Sequence, residues 1–389
     1  MKSIGKTILK VLSYLLAALL GCVLTLAVLF QLTGKTVTGK IFRLEQLIDT
    51  YFIGSYEPDE LGDAAARAMV LATGDRWSYY ISARDYQSYE EQMSNSYVGV
   101  GITVTSDDDD GFSVHAVAPG GPAEQTGVQP GDLLIRVNGQ SCAGLSTEQV
   151  ARLIRGEEGT QVILTLRRQE QELDFSILRT RFQTPVATGA VLPDGIGLVT
   201  IRNFDERCAD EAIAALNKLQ AQGITSVIFD VRNNPGGYKT ELVKLLDYLL
   251  PAGDLFISED YQGNRQVDTS DEACVSLPMA VLVNEDSYSA AEFFGAALSE
   301  YGVAALVGSQ TCGKGYFQNT FRLPDGSAVA LSTGRYYTPK GVCLANVGLT
   351  PDVVVPVDEE TRTAIAAGQL EPKKDPQIIA AMDALKSGK

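Results

Sequence analysis

Residues 279–302, MAVLVNEDSYSAAEFFGAALSEYG, decide the fold of this 389-residue chain. The apolar start is typical of a strand, the polar NEDSYS of a turn, and the remainder of a helix. Strand-like and helical stretches alternate in the same way over the second half of the chain. These stretches are IGLVTIRNF (196–204), 209–222, SVIFDVRNNPGG (226–237), TELVKLLDYLLP (240–251) and AALVG (304–308). The alternation predicts a layered α/β domain with functional groups at strand ends and helix starts.

Ser289 stands where the strand of this stretch stops and its helix begins. That position exposes a hydroxyl and directs helix N–H groups toward it, as a nucleophile requires. The nucleophile also needs a base, but the one histidine, His115, lies far away in a strand-like segment. A lysine can replace histidine if burial removes its proton near neutral pH. Lys314, flanked by glycines after an apolar strand, is the candidate.

The segment that carries Lys314, GSQTCGKG (308–315), also has the glycine-lysine spacing of a phosphate-binding loop. Such a loop needs Ser or Thr after the lysine to hold magnesium, whereas this chain has Gly315. A nucleotide hydrolase is therefore an alternative against which the sequence argues.

Charge and cysteine content exclude several classes of function. With 32 basic and 48 acidic residues the net charge is −16, which argues against nucleic acid as a partner. The six cysteines contain no C-x-x-C pair, so we expect neither a zinc site nor a disulfide framework, and no metal or cofactor. The run Asp107–Asp110 before Gly111 is interpreted as a solvated hairpin turn rather than a calcium loop, because the alternating ligand spacing is absent.

The N-terminus has the pattern of a membrane anchor. Lys2, Lys6 and Lys10 accompany an apolar run over residues 8–32, which is long enough to span a bilayer as a helix. The basic side should stay in the cytoplasm, so the protein would be a single-pass cell-membrane protein with its main mass outside. A cleaved signal peptide and lipid attachment at Cys22 are the alternatives. The apolar run continues past Cys22, which favours a retained anchor.

The middle of the chain resembles a PDZ domain. Apolar spacing first predicts helices over residues 42–52, 58–74 and 79–93. The segments YVGVGITVT (97–105), AVAPGGPAEQTGVQPGDLLIRVNG (116–139) and LIRGEEGTQVILTL (153–166) then match the PDZ family, and Ser146 with Gln149 forms a capping box before its helix. The resemblance implies binding of a peptide's terminal carboxylate by a loop while the peptide adds as a strand. The implied binding residues are Val98, Gly99, Val100, Gly101 and Ile102.

From about residue 44 to residue 355 the chain resembles the carboxyl-terminal processing proteases, the tail-specific serine peptidases of the S41 type. The motifs that carry the resemblance occur in family order: RNNPGG (232–237), SYSAAEFFGAAL (287–298), VGSQTCGKGYFQ (307–318), GRYYTPKG (334–341) and LTPDVVV (349–355). The family pattern implies a catalytic dyad of Ser289 and Lys314, which are 25 residues apart, with Gln318 supporting the lysine.

The implied chemistry needs further groups. Backbone N–H groups of Ala290 and of Gly236 or Gly237 are the expected oxyanion donors, and the sequence leaves the choice of glycine open. Arg155 matches a family arginine that couples peptide binding to activity, although a surface cation at a helix end is an equal interpretation. The sequence departs from the family at Ala291, where many relatives have Ser, and at Tyr288, which is bulkier than the usual Ala.

The sequence therefore predicts a multi-domain protein of α/β and β class. The expected parts are an anchor (1–33), a helical region (34–95), a PDZ domain (96–180), a layered crotonase/ClpP-like protease core (181–360) and a C-terminal link and helix (361–389). We expect a membrane-anchored serine endopeptidase whose partners are proteins with exposed C-terminal tails. The terminal helix should dock on the protein itself or on a second copy as a homodimer. The alternative is a catalytically silent PDZ scaffold.

Overall fold

The computed structural model describes residues 14–16, 19–21, 36–107, 111–118 and 120–387. The chain divides into two units, Met1–Ala68 and Met69–Lys389. The described helices are α1 Val37–Tyr51, α2 Pro58–Leu71, α3 Ala83–Met93, α4 Pro122–Gln125, α5 Thr147–Ile154, α6 Cys208–Ala221, α7 Lys239–Leu249, α8 Ala290–Glu300, α9 Glu359–Ala366 and α10 Pro376–Ser387.

The strands belong to a PDZ-like sheet, a central sheet, a second sheet of the core and a small ladder. In chain order the described strands are β1 Tyr79–Ile81, β2 Ser96–Gly99, β3 Ile102–Asp107, β4 Gly111–Val117, β5 Leu133–Val137, β6 Gln140–Ser141, β7 Gln161–Arg168, β8 Gln171–Leu178, β9 Thr180–Gln183, β10 Ala187–Leu192, β11 Ile196–Ile201, β12 Ser226–Asp230, β13 Gly253–Asp260, β14 Arg265–Ser270, β15 Met279–Val283, β16 Ala304–Gly308, β17 Tyr316–Arg322, β18 Ala328–Tyr337 and β19 Val353–Val354.

The central sheet has the order β10-β11-β12-β15-β16-β19, with β10 antiparallel and the other pairs parallel. All five residues of β15 are buried. The reason is that helices cover both faces of the sheet, α6, α7 and α8 on one and α10 on the other. A strand that is buried on both faces has no polar alternation, which is why its sequence is an unbroken apolar run. The predicted layered α/β core is confirmed.

A second sheet packs beside this core and was not predicted. Its order is β1-β18-β13-β14, and β17 pairs with β18. The predicted helix over residues 79–93 is wrong at its start, because Tyr79–Ile81 pairs with β18 instead. The helix begins only after Ser82, whose hydroxyl accepts the Asp85 N–H. Aromatic and β-branched residues favour the strand here once a partner strand is present.

The PDZ-like sheet has the order β3-β4-β5-β7-β8, so that β3 is an edge strand, and α5 lies near it. The predicted capping box is confirmed: the Ser146 N–H donates to Gln149 Oε1 at 2.7 Å, and the Gln149 N–H donates to Ser146 Oγ at 3.3 Å. Strand β2 comes just before this sheet in the chain and β9 just after it, and the two pair with each other as a short antiparallel ladder. The ladder therefore ties the expected carboxylate loop to the strand that enters the core.

The structure describes the C-terminal helix of the chain but only a few residues of the expected N-terminal anchor. The expected anchor falls mainly on residues outside the described ranges, and none of the described helices is both long enough and apolar enough to cross a bilayer. No side chain of α1 or α2 is fully buried. At the other end, α10 docks on the protein itself through Ile378, Ala381 and Ala384.

Candidate active site

Ser289 is the residue immediately before α8 and has a strained backbone, with φ of +58° and ψ of −122°. A residue other than glycine reaches this region only when its surroundings hold it there, and such strain concentrates at functional sites. The strained turn directs Ser289 into a cleft of about 1280 Å³, which Lys314 also lines. The two residues predicted to form the dyad thus face the same cavity.

Glu292 connects the two loops that carry these residues. Its carboxylate is completely buried and accepts the N–H of Ser289 at 3.1 Å, of Gly313 at 2.7 Å and of Lys314 at 2.9 Å. The Thr311 hydroxyl donates to the same carboxylate. Charge-assisted bonds of this kind are stronger than neutral ones, so Glu292 sets the spacing between the turn and the glycine-flanked loop. Glu292 is not among the candidate residues of the sequence analysis, because partners so distant along the chain cannot be read from the sequence.

The Lys314 amine lies in a partly dry, aromatic environment. Burial lowers the pKa of Lys314 to about 8, against the opposing effect of Asp75, Cys312 and Glu292. Among the described residues Nζ has no hydrogen-bond partner; it lies 4.9 Å from the ring centre of Trp77 and 5.9 Å from that of Tyr288. The amine is therefore close to losing its proton at neutral pH, although in this conformation it does not contact the Ser289 hydroxyl.

Tyr336 is a site residue that sequence reasoning missed. Its side chain is 3% exposed, its hydroxyl donates to the Lys314 carbonyl, and the same hydroxyl interacts with the Ser289 side chain. Burial raises the pKa of Tyr336 well above its ordinary value, so the phenol stays a neutral donor. The available signal was its place in the motif GRYYTPKG, and in the structure Tyr336 lines the cleft.

The structure separates the three candidate oxyanion donors. The Gly236 N–H already donates to Asn234 Oδ1 at 2.8 Å. Gly237 lies opposite Phe204 in an isolated parallel bridge, but its neighbours make the bonds: the Phe204 N–H donates to the Gly236 carbonyl, and the Tyr238 N–H donates to the Phe204 carbonyl. The N–H of Gly237 itself takes no part in the bridge. The N–H groups of Gly237 and Ala290 have no acceptor within the described part of the chain, and both residues line the cleft. Ala290 with Gly237 is therefore the donor pair that the geometry leaves available.

Gly236 has a different role. Its φ is +89°, and a Cβ placed on it would lie 2.7 Å from Ser289 Cβ and 2.9 Å from the Ala290 nitrogen. No side chain fits there, so glycine lets this loop lie against the Ser289 turn.

Gln318 lines the cleft but is not on the lysine. Its Nε2 donates to the Tyr316 carbonyl and to Ser332 Oγ, each at 3.1 Å. The support of Lys314 by Gln318 that the resemblance implies is therefore not formed in this conformation. The β17 register shifts between Phe317 and Gln318, which sets the direction of this side chain.

The candidate peptide-binding residues lie where β2 passes into edge strand β3. Val98 and Gly99 end β2, Gly101 has φ of +81°, and Ile102 begins β3. The N–H groups of Val100 and Gly101 have no acceptor among the residues that the structure describes. Unpaired N–H groups beside a free strand edge are what a terminal carboxylate and an added strand require.

Arg155 and His115 are outside the cleft. Arg155 follows the last residue of α5, is exposed, and acts electrostatically on Tyr97 of β2. His115 is exposed on β4. Neither side chain is positioned to take part in chemistry at Ser289.

Comparison with known proteins supplies the family. The model of peptidase family S41 matches residues 195–355, and a PDZ domain model matches residues 113–168. A protein of Staphylococcus epidermidis named a CtpA-like serine protease is 31% identical over 350 residues, which cover 88% of this chain and 71% of that protein. The chain belongs to the S41 family of serine peptidases. A Staphylococcus aureus S41 relative of the same name is 31% identical over 328 residues, 83% of this chain and 66% of the relative.

The chain spans about two thirds of the length of these curated S41 relatives. Among solved structures, an S41 protease from Bacteroides fragilis has a TM-score of 0.54 at 18% identity and covers 87% of this chain and 92% of its own. At that identity the likeness concerns the fold alone. It agrees with the S41 architecture described above.

Proposed function

We propose that this chain is a serine endopeptidase of the C-terminal processing type, with Ser289 as nucleophile and Lys314 as general base. One observation carries the proposal: the Ser289 hydroxyl and an amine whose pKa burial lowers to about 8 line the same cleft. A lysine with an ordinary pKa would be protonated at neutral pH and could not accept a proton.

The proposed reaction has two halves. The neutral Lys314 amine takes the Ser289 proton as Oγ bonds to the scissile carbonyl carbon, and the resulting ammonium returns that proton to the leaving amine when the C–N bond breaks. Water, activated by the same lysine, then hydrolyses the acyl-enzyme and regenerates the hydroxyl. The Ala290 and Gly237 N–H groups would stabilise the oxyanion in each half. Before the first step, the Lys314 side chain must rotate from the aromatic rings toward Ser289.

Substrates are proposed to be proteins with exposed C-terminal tails, bound by the PDZ domain. The free N–H groups of Val100 and Gly101 support carboxylate binding, and edge strand β3 beside α5 supports addition of the tail as a strand. The silent-scaffold alternative shares this binding but not the chemistry.

The test uses the full-length chain in detergent and a folded reporter protein with a flexible apolar C-terminal tail. We expect the wild type to shorten the reporter, and Ser289→Ala and Lys314→Met to abolish cleavage while the tail still binds. Ser287→Ala changes the neighbouring serine and is the comparison for general damage to the turn. Binding without cleavage by the wild type would favour the scaffold. Cleavage by Ser289→Ala would reject the assigned nucleophile.

We also propose that residues 8–32 anchor the chain in the cell membrane with the protease outside. The support is the basic-then-apolar pattern of the N-terminus. In intact cells, added protease should digest the region beyond residue 36, and deletion of residues 1–33 should release the protein from membranes. Protection of that region in intact cells would contradict the orientation.

A further inference from the structure

Trp77 lies outside the family-matched regions, yet its indole faces the Lys314 amine. The Trp77 and Tyr288 ring centres are 5.7 Å apart, with planes tilted by 35°. Nζ of Lys314 lies over both rings, at 4.9 Å from the first and 5.9 Å from the second. The faces of aromatic rings attract a cation and have no such attraction for a neutral amine.

The segment that carries Trp77 is held firmly against the site. Asp75 accepts the Trp77 N–H at 3.1 Å and the Ser78 hydroxyl at 2.6 Å. The Ser78 hydroxyl in turn accepts the Ser332 N–H of β18 at 3.0 Å. These bonds fix the indole relative to the second sheet of the core.

Arg76 ties the same segment to the loop of the lysine. Its guanidinium lies 4.3 Å from the Trp77 ring centre and donates to the Cys312 carbonyl at 3.3 Å. Trp77 is therefore placed by contacts on both sides of its backbone, and its position against Lys314 does not depend on the indole alone.

The surroundings of Lys314 have opposing effects on the pKa of its amine. Asp75, Glu292 and the Cys312 thiol favour the charged amine, whereas burial disfavours it. Arg76 adds a cation to the same indole. Tyr336 contributes a neutral hydroxyl at the Lys314 carbonyl. Nζ has no hydrogen-bond acceptor among the described residues, and it lies over the rings of Trp77 and Tyr288.

We propose that Trp77, together with Tyr288, is a positioning residue for the lysine base: the two rings hold the Lys314 ammonium in the resting protein, and the neutral amine leaves them for Ser289. This inference rests on the proposed function of Lys314, but its first test does not require proteolysis. The rings keep the lysine charged and away from the nucleophile until it loses its proton.

The first test uses intrinsic fluorescence, since Trp77 is the one tryptophan in the 389-residue sequence. The full-length Ser289→Ala protein is titrated from pH 6.5 to pH 9.5. We expect a change in emission with a midpoint near pH 8, as the ammonium over the indole is lost, and no such change after Lys314→Met.

Two matched variants complete this titration. Lys239→Met removes another cleft lysine, one that pairs with Asp268 at 2.8 Å, and should keep the transition. Cys312→Ser removes the nearby thiol and should also keep it. A transition that survives Lys314→Met, or one that disappears with Cys312→Ser, would overturn the proposal.

The second test is the pH profile of kcat/KM on the tailed reporter. Weakening the ring that favours the ammonium should lower the pKa of Lys314, so Trp77→Phe should move the acid limb down by about 0.5 pH unit. Tyr288→Leu should move it in the same direction.

A merely structural role would lower kcat at every pH and leave the acid limb in place. An acid limb that stays in place or moves to higher pH would therefore reject the proposal. If no variant cleaves the reporter but the fluorescence result holds, the proposed function fails and the contact between Trp77 and Lys314 stands.

Discussion

The Glu292 carboxylate accepts the backbone N–H of Lys314 at 2.9 Å, and through this bond a buried residue of α8 places the Lys314 loop relative to the Ser289 turn. The same carboxylate holds Ser289 and Gly313, so a change at Glu292 should affect both loops at once.

Glu292→Gln keeps the shape of the side chain but removes the charge and turns an NH₂ group toward N–H donors. We expect kcat to fall by about 10²-fold or more, and the free energy of unfolding to fall by about 1–3 kcal/mol. Reporter cleavage and urea unfolding measure the two effects. Glu360→Gln, on the exposed surface of α9, is the control and should change neither. Full activity of Glu292→Gln would show that the two loops keep their spacing without it.

The pH dependence of cleavage should report Lys314. Only the neutral amine is a base, so kcat/KM should drop about tenfold per pH unit below the Lys314 pKa of about 8 and level off above it. Lys314→Arg should be inactive throughout, because a guanidinium stays charged. A plateau that extends to pH 6 in the wild type would exclude lysine as the base.

The same group should make stability depend on pH. The folded-state pKa, about 8, is below the ordinary 10.5, so the unfolded chain binds more protons between these two values. Unfolding free energy should therefore rise with pH across this window, and Lys314→Met should remove that rise. The comparison is a set of urea titrations at several pH values. An unchanged slope in Lys314→Met would assign the dependence to another group.

Tyr336→Phe should weaken the positioning of Ser289 and Lys314, the two residues of the proposed dyad. The change deletes the hydroxyl that donates to the Lys314 carbonyl and interacts with Ser289, while the ring still packs against Phe256 and Phe293. We expect about a tenfold loss in kcat with little change in KM, and about 1 kcal/mol of lost stability. Tyr337→Phe, one residue later, is the matched control. Equal effects of the two variants would argue against a specific role for Tyr336.

Gly236→Ala should inactivate the protein, because its Cβ would press on Ser289 and on the Ala290 nitrogen. Gly263→Ala is the control: its φ of +84° resembles the +89° of Gly236, but its surroundings are open. Both variants bear a similar backbone cost of about 1 kcal/mol. The difference between them in cleavage rate measures the close approach alone, and equal rates would show that the loop can move aside.

Arg232→Met should destabilise the core. Arg232 is 4% exposed at its side chain and pairs with Asp230 at 2.6 Å and with Asp375 at 2.8 Å, which joins α10 to the end of β12. Removing the cation leaves the buried Asp375 carboxylate and the mostly buried Asp230 carboxylate without their ion-pair partner, at a cost of about 3–5 kcal/mol. Arg322→Met, which breaks an exposed pair with Glu90, should cost less than about 1 kcal/mol. Similar losses in thermal unfolding for both variants would contradict this account.

Local pattern determined the elements of the central sheet. The apolar run of β15 and the apolar spacing of α8 are properties of neighbouring residues. A segment of 24 residues, 279–302, was therefore enough to predict the strand, the turn and the helix. For the same reason the capping box at Ser146 was predicted, since both partners lie within one helical turn. Motif order along the chain was enough to indicate Ser289 and Lys314 as candidate catalytic residues.

Tertiary structure alone decided which distant groups meet. The strand at Tyr79–Ile81 exists because β18 pairs with it, and Trp77 reaches Lys314 across more than 200 residues of sequence. The contacts of Glu292 and Tyr336 with the Lys314 loop, and the bond that occupies the Gly236 N–H, likewise depend on how the folded chain is arranged. Hydrogen bonds, ring contacts and burial act over a few ångströms of space, and separation along the chain does not determine that distance.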